Sequence, residues 1–139
     1  MIDVALDASV GIRIVADDED GHDAALDAYD RLVTSGFNPI ACDLYVYEVG
    51  NALSRSRSKR GRAERLLEAC ELVEVHALDP DGLMRALAWT ERGKLTFYDA
   101  AHLALAESRG ALLWTEDQEI LRRSPEAAVD TEGLLLRLG

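Results

Sequence analysis

"IDVALDASVGIRIVA", residues 2–16, decides the fold. Its first part, IDVAL (2–6), is short, apolar and partly β-branched, which reads as a buried strand. SVGIRIVA (9–16) then reads as a helix, so strand passes into helix across Asp7 without a linker. A buried strand followed at once by a helix is how a domain with a parallel sheet begins.

The alternation continues outward from there. The acidic DDEDG (17–21) reads as a solvated turn. HDAALDAYDRLVTSG (22–36) carries apolar residues at Ala25, Leu26, Tyr29, Leu32 and Val33 and stops at Gly36, as a helix does. NPIAC (38–42) is a second strand, and DLYVYEVGNALSRSRSKRG (43–61) a helix with Asp43 at its N-cap. GRAERLLEACE (61–71) is another helix and LVEVHAL (72–78) a third strand. DPDGLMRALAWTERG (79–93) opens with Asp79 and Pro80 and closes at Gly93, again a helix. TFYDAAHLALAESRG (96–110) is a helix, ALLWT (111–115) a strand, EDQEILRR (116–123) a short helix and AAVD (127–130) a fifth strand. The tail DTEGLLLRLG (130–139) receives no assignment. The expectation is one α/β domain over 1–139 with a doubly wound parallel sheet, right-handed crossovers and helices on both faces. In such sheets ligands bind beyond the carboxyl ends of the strands, where strand order reverses.

Composition sets outer limits. The chain is 48% hydrophobic and 29% charged, which fits a soluble globular protein, and no apolar run approaches the ~20 residues of a membrane span. The first residues lack a basic region before an apolar stretch, so no secretory signal is expected. Cys42 and Cys70 have no ligand spacing and read as buried free thiols of a cytoplasmic protein. The net charge of −11 opposes bulk attraction to nucleic acid. The charge is uneven, however: residues 1–30 hold nine acids against Arg13 alone, and SRSRSKRGRAER (54–65) holds six bases against Glu64.

Four acids from separate parts of the chain are expected at the carboxyl edge. Asp7 ends the first strand and Asp117 follows the fourth. Glu48 lies about one and a half turns into the helix leaving the second strand. Asp99 opens the helix that runs antiparallel to the fourth strand. Each has an ordinary use: Asp99 three residues after Thr96, and Gln118 three after Thr115, both fit capping boxes. Asp43, Asp79 and Asp130 gather at the same edge as caps or turns. If the four converge, their repulsion raises their pKa values unless a cation is present. Oxygen ligands suit Mg²⁺ or Mn²⁺ rather than zinc, and point to phosphoryl chemistry. His22, His76 and His102 are scattered and read as surface or packing residues.

VALDASV with Asp7, YEVGNAL with Glu48 and Asn51, YDAAHLALA with Asp99, and LWTEDQEI with Thr115 and Asp117 together resemble the PIN-domain family, most of all its VapC-type toxins. The four motifs come in the family's order and cover essentially the whole chain. The resemblance implies a sheet ordered 3-2-1-4-5, with Asp7 and Asp117 on neighbouring strands. It implies a Mg²⁺- or Mn²⁺-dependent ribonuclease. Asp7 and Asp99 would be the principal ligands, and Glu48 and Asp117 would complete the cluster directly or through water. Thr115 and Ser9 would orient ligands or waters, and Asn51, one turn from Glu48, would face the same side. It also implies an RNA substrate, a cognate antitoxin and a homodimer. Gly50, inside the Glu48 motif, departs from the usual helix former.

The implied reaction is metal-assisted hydrolysis of an RNA phosphodiester, with Glu48 or Asp117 as proton acceptor. The sequence does not choose between them. Arg55, Arg57, Lys59, Arg60 and Arg62 would either hold RNA phosphates or form a solvated helix end. Leu44, Tyr45, Val46, Tyr47 and Val49 crowd one helix start, as a dimer contact, an antitoxin groove or a helix buried on most sides. Three rivals stand. A receiver-type signalling domain lacks its paired acids after strand one and its late Lys. An inactive PIN-like binding module would not need four acids. A housekeeping RNA-processing nuclease would share the site and differ in context.

Overall fold

The computed structural model describes residues 2–139. Five strands form one parallel sheet: β1 (Asp3–Leu6), β2 (Asn38–Cys42), β3 (Glu74–His76), β4 (Leu113–Trp114) and β5 (Ala128–Val129). Their order is β3-β2-β1-β4-β5, as the resemblance implied, and the reversal falls between β1 and β4. The helices are α1 (Ala8–Val15), α2 (His22–Thr34), α3 (Leu44–Arg55), α4 (Arg62–Glu71), α5 (Pro80–Gly93), α6 (Phe97–Ser108), α7 (Gln118–Arg123) and α8 (Thr131–Leu138).

The two-residue period of a strand splits the core in two. Val4, Leu6, Ala41, Trp114 and Val129 face a layer of α1, α2, α3, α4 and α8, with Val10, Ile14, Leu32, Tyr45 and Leu134 packed on them. Ala5, Ile40, Cys42, Leu113 and Ala128 face α5, α6 and α7. Every residue from Ala100 to Ala106 is buried, so the middle of α6 is covered on all sides. Its alanines let it lie close to α5 and the sheet. Gly11 does the same for α1, because a Cβ there would collide with the Tyr45 ring. That ring crosses to donate a 2.8 Å hydrogen bond to the Ala69 carbonyl, tying α3 to α4.

Several expectations change. α3 stops at Arg55 rather than running to Gly61. Ser56 turns extended there, and its hydroxyl bonds the Leu53 and Ser58 carbonyls in place of a continued helix. Asp43 stands before α3 but makes no side-chain cap. Asp79 and Asp130 do cap, accepting from the Gly82 and Gly133 amides at 2.7 and 2.8 Å. Asp130 thereby starts α8, the helix that the sequence left unassigned. Cys42 is buried, and burial pushes its thiol up to about 11, but Cys70 is only partly covered. Both are free, and among the described residues no helix is long and apolar enough to cross a membrane. The crowded start of α3 is buried on most sides: Tyr45 and Val49 are covered and Tyr47 is 74% exposed.

Candidate active site

The site begins with Asp7, only 5% exposed between β1 and α1. It caps α1. One carboxylate oxygen accepts from the Ser9 amide at 3.1 Å and the Ser9 hydroxyl at 2.5 Å. The other accepts from the Thr115 hydroxyl. Ser9 Oγ in turn accepts from the Glu116 amide at 2.9 Å, and Thr115 Oγ1 from the Asp117 amide at 3.0 Å. The ends of β1 and β4 are thus knotted through two hydroxyls. Thr115 is therefore no capping box with Gln118: Asp117 caps α7, accepting from the Glu119 and Ile120 amides.

Burial holds the Asp7 carboxyl above its usual range, against the pull of His102 and the two hydroxyls. Asp99 is also raised, by burial first, then by the charges of Asp117 and Glu48. Thr96 accepts from the Asp99 amide at 3.2 Å, so Asp99 sits in a capped first turn while its carboxylate faces the other acids.

His102 lies one turn from Asp99 on α6 and is 2% exposed. Its Nε2 donates to Glu48 Oε1 at 2.5 Å. Its Nδ1 is buried without a partner among the described residues. Burial alone would lower its pKa; the hydrogen bond to Glu48 and the charges of Asp7, Glu48 and Asp99 outweigh it, and the imidazole holds its proton above the ordinary value. Reading His102 as a packing residue misses this role. The signal available was a histidine three residues after Asp99 in an otherwise apolar run.

His102 therefore feels the charges of Asp7, Glu48 and Asp99, and Asp99 feels those of Asp117 and Glu48. The four acids do not form a closed cage: among the described residues no three His, Cys, Asp or Glu side chains stand together at metal-ligand spacing. The donor set fits a hard dication that keeps most of its waters and takes one or two carboxylates, as Mg²⁺ does, and not a dry protein cage. The raised carboxyls are what such a charge would relieve.

The basic run disperses. Arg55 lines a groove of about 500 Å³ beside Ser9, Glu48 and Asn51. Arg57 and Lys59 point to solvent. Arg60 lines a separate groove with Asp17 and Glu64. Arg62 is turned back as a brace on the Ser54 and Ser56 carbonyls, at 3.3 and 2.9 Å. Arg65 pairs with Asp17 and Asp18 at 3.2 and 3.5 Å, so the acidic and basic segments partly neutralise each other.

The PIN domain family model matches residues 4–125. "Exonuclease VapC9" of Pyrobaculum aerophilum is 34% identical over 119 residues, 79% of this chain and 84% of its own length. "Ribonuclease VapC3" of the same organism is 31% identical over 104 residues, 69% and 79% of the two chains. A toxin–antitoxin complex from Klebsiella pneumoniae shares the fold at 19% identity, with a TM-score of 0.71 over 92% of this chain and 97% of that one. The strand order, the four acids on their expected elements and these matches agree: the chain belongs to the PIN domain family, among its VapC-like members.

Proposed function

We propose that this chain is a Mg²⁺- or Mn²⁺-dependent ribonuclease of the toxin type, hydrolysing RNA phosphodiesters at Asp7, Asp99, Glu48 and Asp117. The observation that carries the reading is a buried Asp7 carboxylate held by Ser9 and Thr115 at the reversal of the sheet, beside a His102 that also feels Glu48 and Asp99. A structural carboxylate in that place would be costly, since burying a charge without a counter-charge is unfavourable.

Asp7 and Asp99 are the principal ligands, with Ser9 and Thr115 holding Asp7 in one orientation. A cation held there by Asp7 and Asp99 would supply Lewis-acid polarisation of the phosphoryl oxygen and a more acidic bound water. Glu48 or Asp117 accepts the proton of the attacking water. Glu48 is already tied to His102, and that hydrogen bond fixes the direction of its carboxylate. Among the described residues one oxygen of Asp117 has no hydrogen-bond partner, and its amide donates to the same Thr115 hydroxyl that holds Asp7.

The names of the relatives support nuclease action, and the Klebsiella complex supports an antitoxin as partner. A homodimer belongs to the same reading. Leu83, Met84 and Leu87 on α5 and Phe97 and Tyr98 on α6 stay exposed, an apolar surface suited to a second copy. The cytoplasm is the expected compartment.

The test is cleavage of total RNA by purified protein with Mg²⁺ or Mn²⁺, with mapped product ends. Asp7→Asn and Asp99→Asn should each abolish it. Full activity in both variants refutes the assignment. Growth arrest on expression, lost in Asp7→Asn, separates a toxin from a housekeeping nuclease.

A further inference from the structure

We propose that Arg13 and Arg55 form a phosphate clamp for single-stranded RNA in the groove between α1 and α3, and that Glu116 is the positioning residue that aims Arg13. The proposal rests on the ribonuclease reading and extends it to the path of the strand.

The groove leaves the acid site directly. Ser9 and Arg13 of α1 form one wall, and Glu48, Asn51 and Arg55 of α3 the other. Arg55 lies two turns beyond Glu48, about 10 Å along the helix. Its guanidinium is exposed and has no ion pair among the described residues. In a protein of net charge −11, an RNA strand can approach only where local positive charge is placed for it.

Arg13 is held rather than loose. Its Nη1 lies 3.5 Å from Glu116 Oε1. The other oxygen of Glu116 accepts from the Thr131 amide at 2.7 Å and the Thr131 hydroxyl at 2.5 Å, so the start of α8 anchors the pair. The same nitrogen is given room by Gly21, whose φ is +81° and where a Cβ would stand 2.6 Å from Arg13 Nη1. Nη1 is paired with a carboxylate that is itself anchored, the glycine gives it room, and a third of the side chain stays open. A planar fork held in that way binds phosphate with little further loss of freedom.

Glu19 also lines the groove, and with Glu48 and Glu116 it opposes an anion there. The two arginines must therefore act by position, not by an overall positive field. That distinction gives the experiment. Binding of a fluorescein-labelled, eight-nucleotide single-stranded RNA is followed by anisotropy, using the Asp7→Asn chain at fixed Mg²⁺ across a NaCl series. Arg13→Gln and Arg55→Gln should each weaken binding roughly 5- to 30-fold and flatten the log–log salt slope by about 0.7. Arg13→Lys should keep the slope and lose part of the affinity. Glu116→Gln is decisive for positioning. Removing an acid should tighten binding if only charge matters, whereas loss of the anchor should weaken it with Arg13 still present. Unchanged affinity and slope in Arg13→Gln, or tighter binding in Glu116→Gln, overturns the proposal. Because Arg13→Gln leaves Glu116 without its partner, each variant's melting curve is compared with the parent, and Arg55→Gln, solvent-exposed, carries the slope test if Arg13→Gln unfolds. Failure of the ribonuclease reading shows elsewhere: the unsubstituted chain would leave the same RNA uncut with either cation, whatever the anisotropy reads.

Discussion

His102 on α6 and Glu48 on α3 meet at 2.5 Å, joining two helices whose sequence positions are 54 residues apart. The imidazole is buried at 2% exposure and the carboxylate side chain is 38% exposed, so the pair points a half-solvated acid out of the core toward the crevice. Helix α6 thus contributes two groups to the site, Asp99 at its mouth and His102 one turn deeper.

The pair should have a measurable pH signature in metal-free protein. The folded-state pKa of His102 is raised, so its stabilising contribution is fully present below about pH 6.5 and is lost as pH rises through the folded value. A double-mutant cycle of His102→Gln and Glu48→Gln should give a coupling of about 1–2 kcal/mol at pH 6, tempered by solvent at Glu48, and less at pH 9. A coupling unchanged between pH 6 and pH 9 would mean that the imidazole is neutral throughout, contrary to its raised pKa.

Asp7 has the opposite consequence for design. Its folded-state pKa is raised by burial, so its contribution favours folding below pH 3.8 and is lost as pH rises past the folded value. At neutral pH the buried charge costs stability. Asp7→Asn keeps an acceptor for Ser9, and in chelator it should melt a few degrees higher than the unsubstituted chain at pH 7 while losing activity. The gap should close toward pH 3.5. A lower melting temperature at pH 7 would show that the hydrogen bonds to a carboxylate outweigh its desolvation.

Much of this was legible because local patterns and the sheet agreed. NPIAC predicts β2 to the residue, and the helix ending at Gly93 is set by its own cap and stop. What escaped was non-local. α8 is eight residues long and contains Gly133, too weak to declare itself by periodicity. It is held by burial of Leu134 in the same core cluster as Trp114, and it lies close against Val129 because residue 133 is glycine, where a Cβ would meet that side chain at 2.7 Å. His102 does occupy a packing position, and only the fold reveals that Glu48 is its neighbour. The basic run looked like one surface. Its serines end the helix and its arginines then go to different places, one of them back onto the serine carbonyls.

Gly11 offers a change remote from the chemistry. Gly11→Ala improves helix propensity by up to about 1 kcal/mol, but its methyl would drive into the Tyr45 ring, and overpacking of this kind costs about 1–3 kcal/mol. The net result should be a less stable protein with its acid site intact, read as a lower urea midpoint at unchanged m-value. A raised midpoint would mean that α1 and α3 separate without penalty.

Cation binding should be visible without any substrate. A ligand that binds only the folded state stabilises it by RT ln(1 + [L]/Kd), about 2.7 kcal/mol at one hundred times Kd. Part of that affinity would come from relieving a carboxyl that burial first, and then the charges of Asp117 and Glu48, hold raised at Asp99. Adding Mg²⁺ or Mn²⁺ in the millimolar range should therefore raise the melting temperature of the unsubstituted chain, most strongly at neutral pH where the carboxylates are ionised. Asp99→Asn should lose most of that rise, and Asp117→Asn part of it. Arg57→Gln, far out on the loop, should leave it unchanged. Equal metal-induced rises in all four proteins would place the cation somewhere other than this cluster of acids.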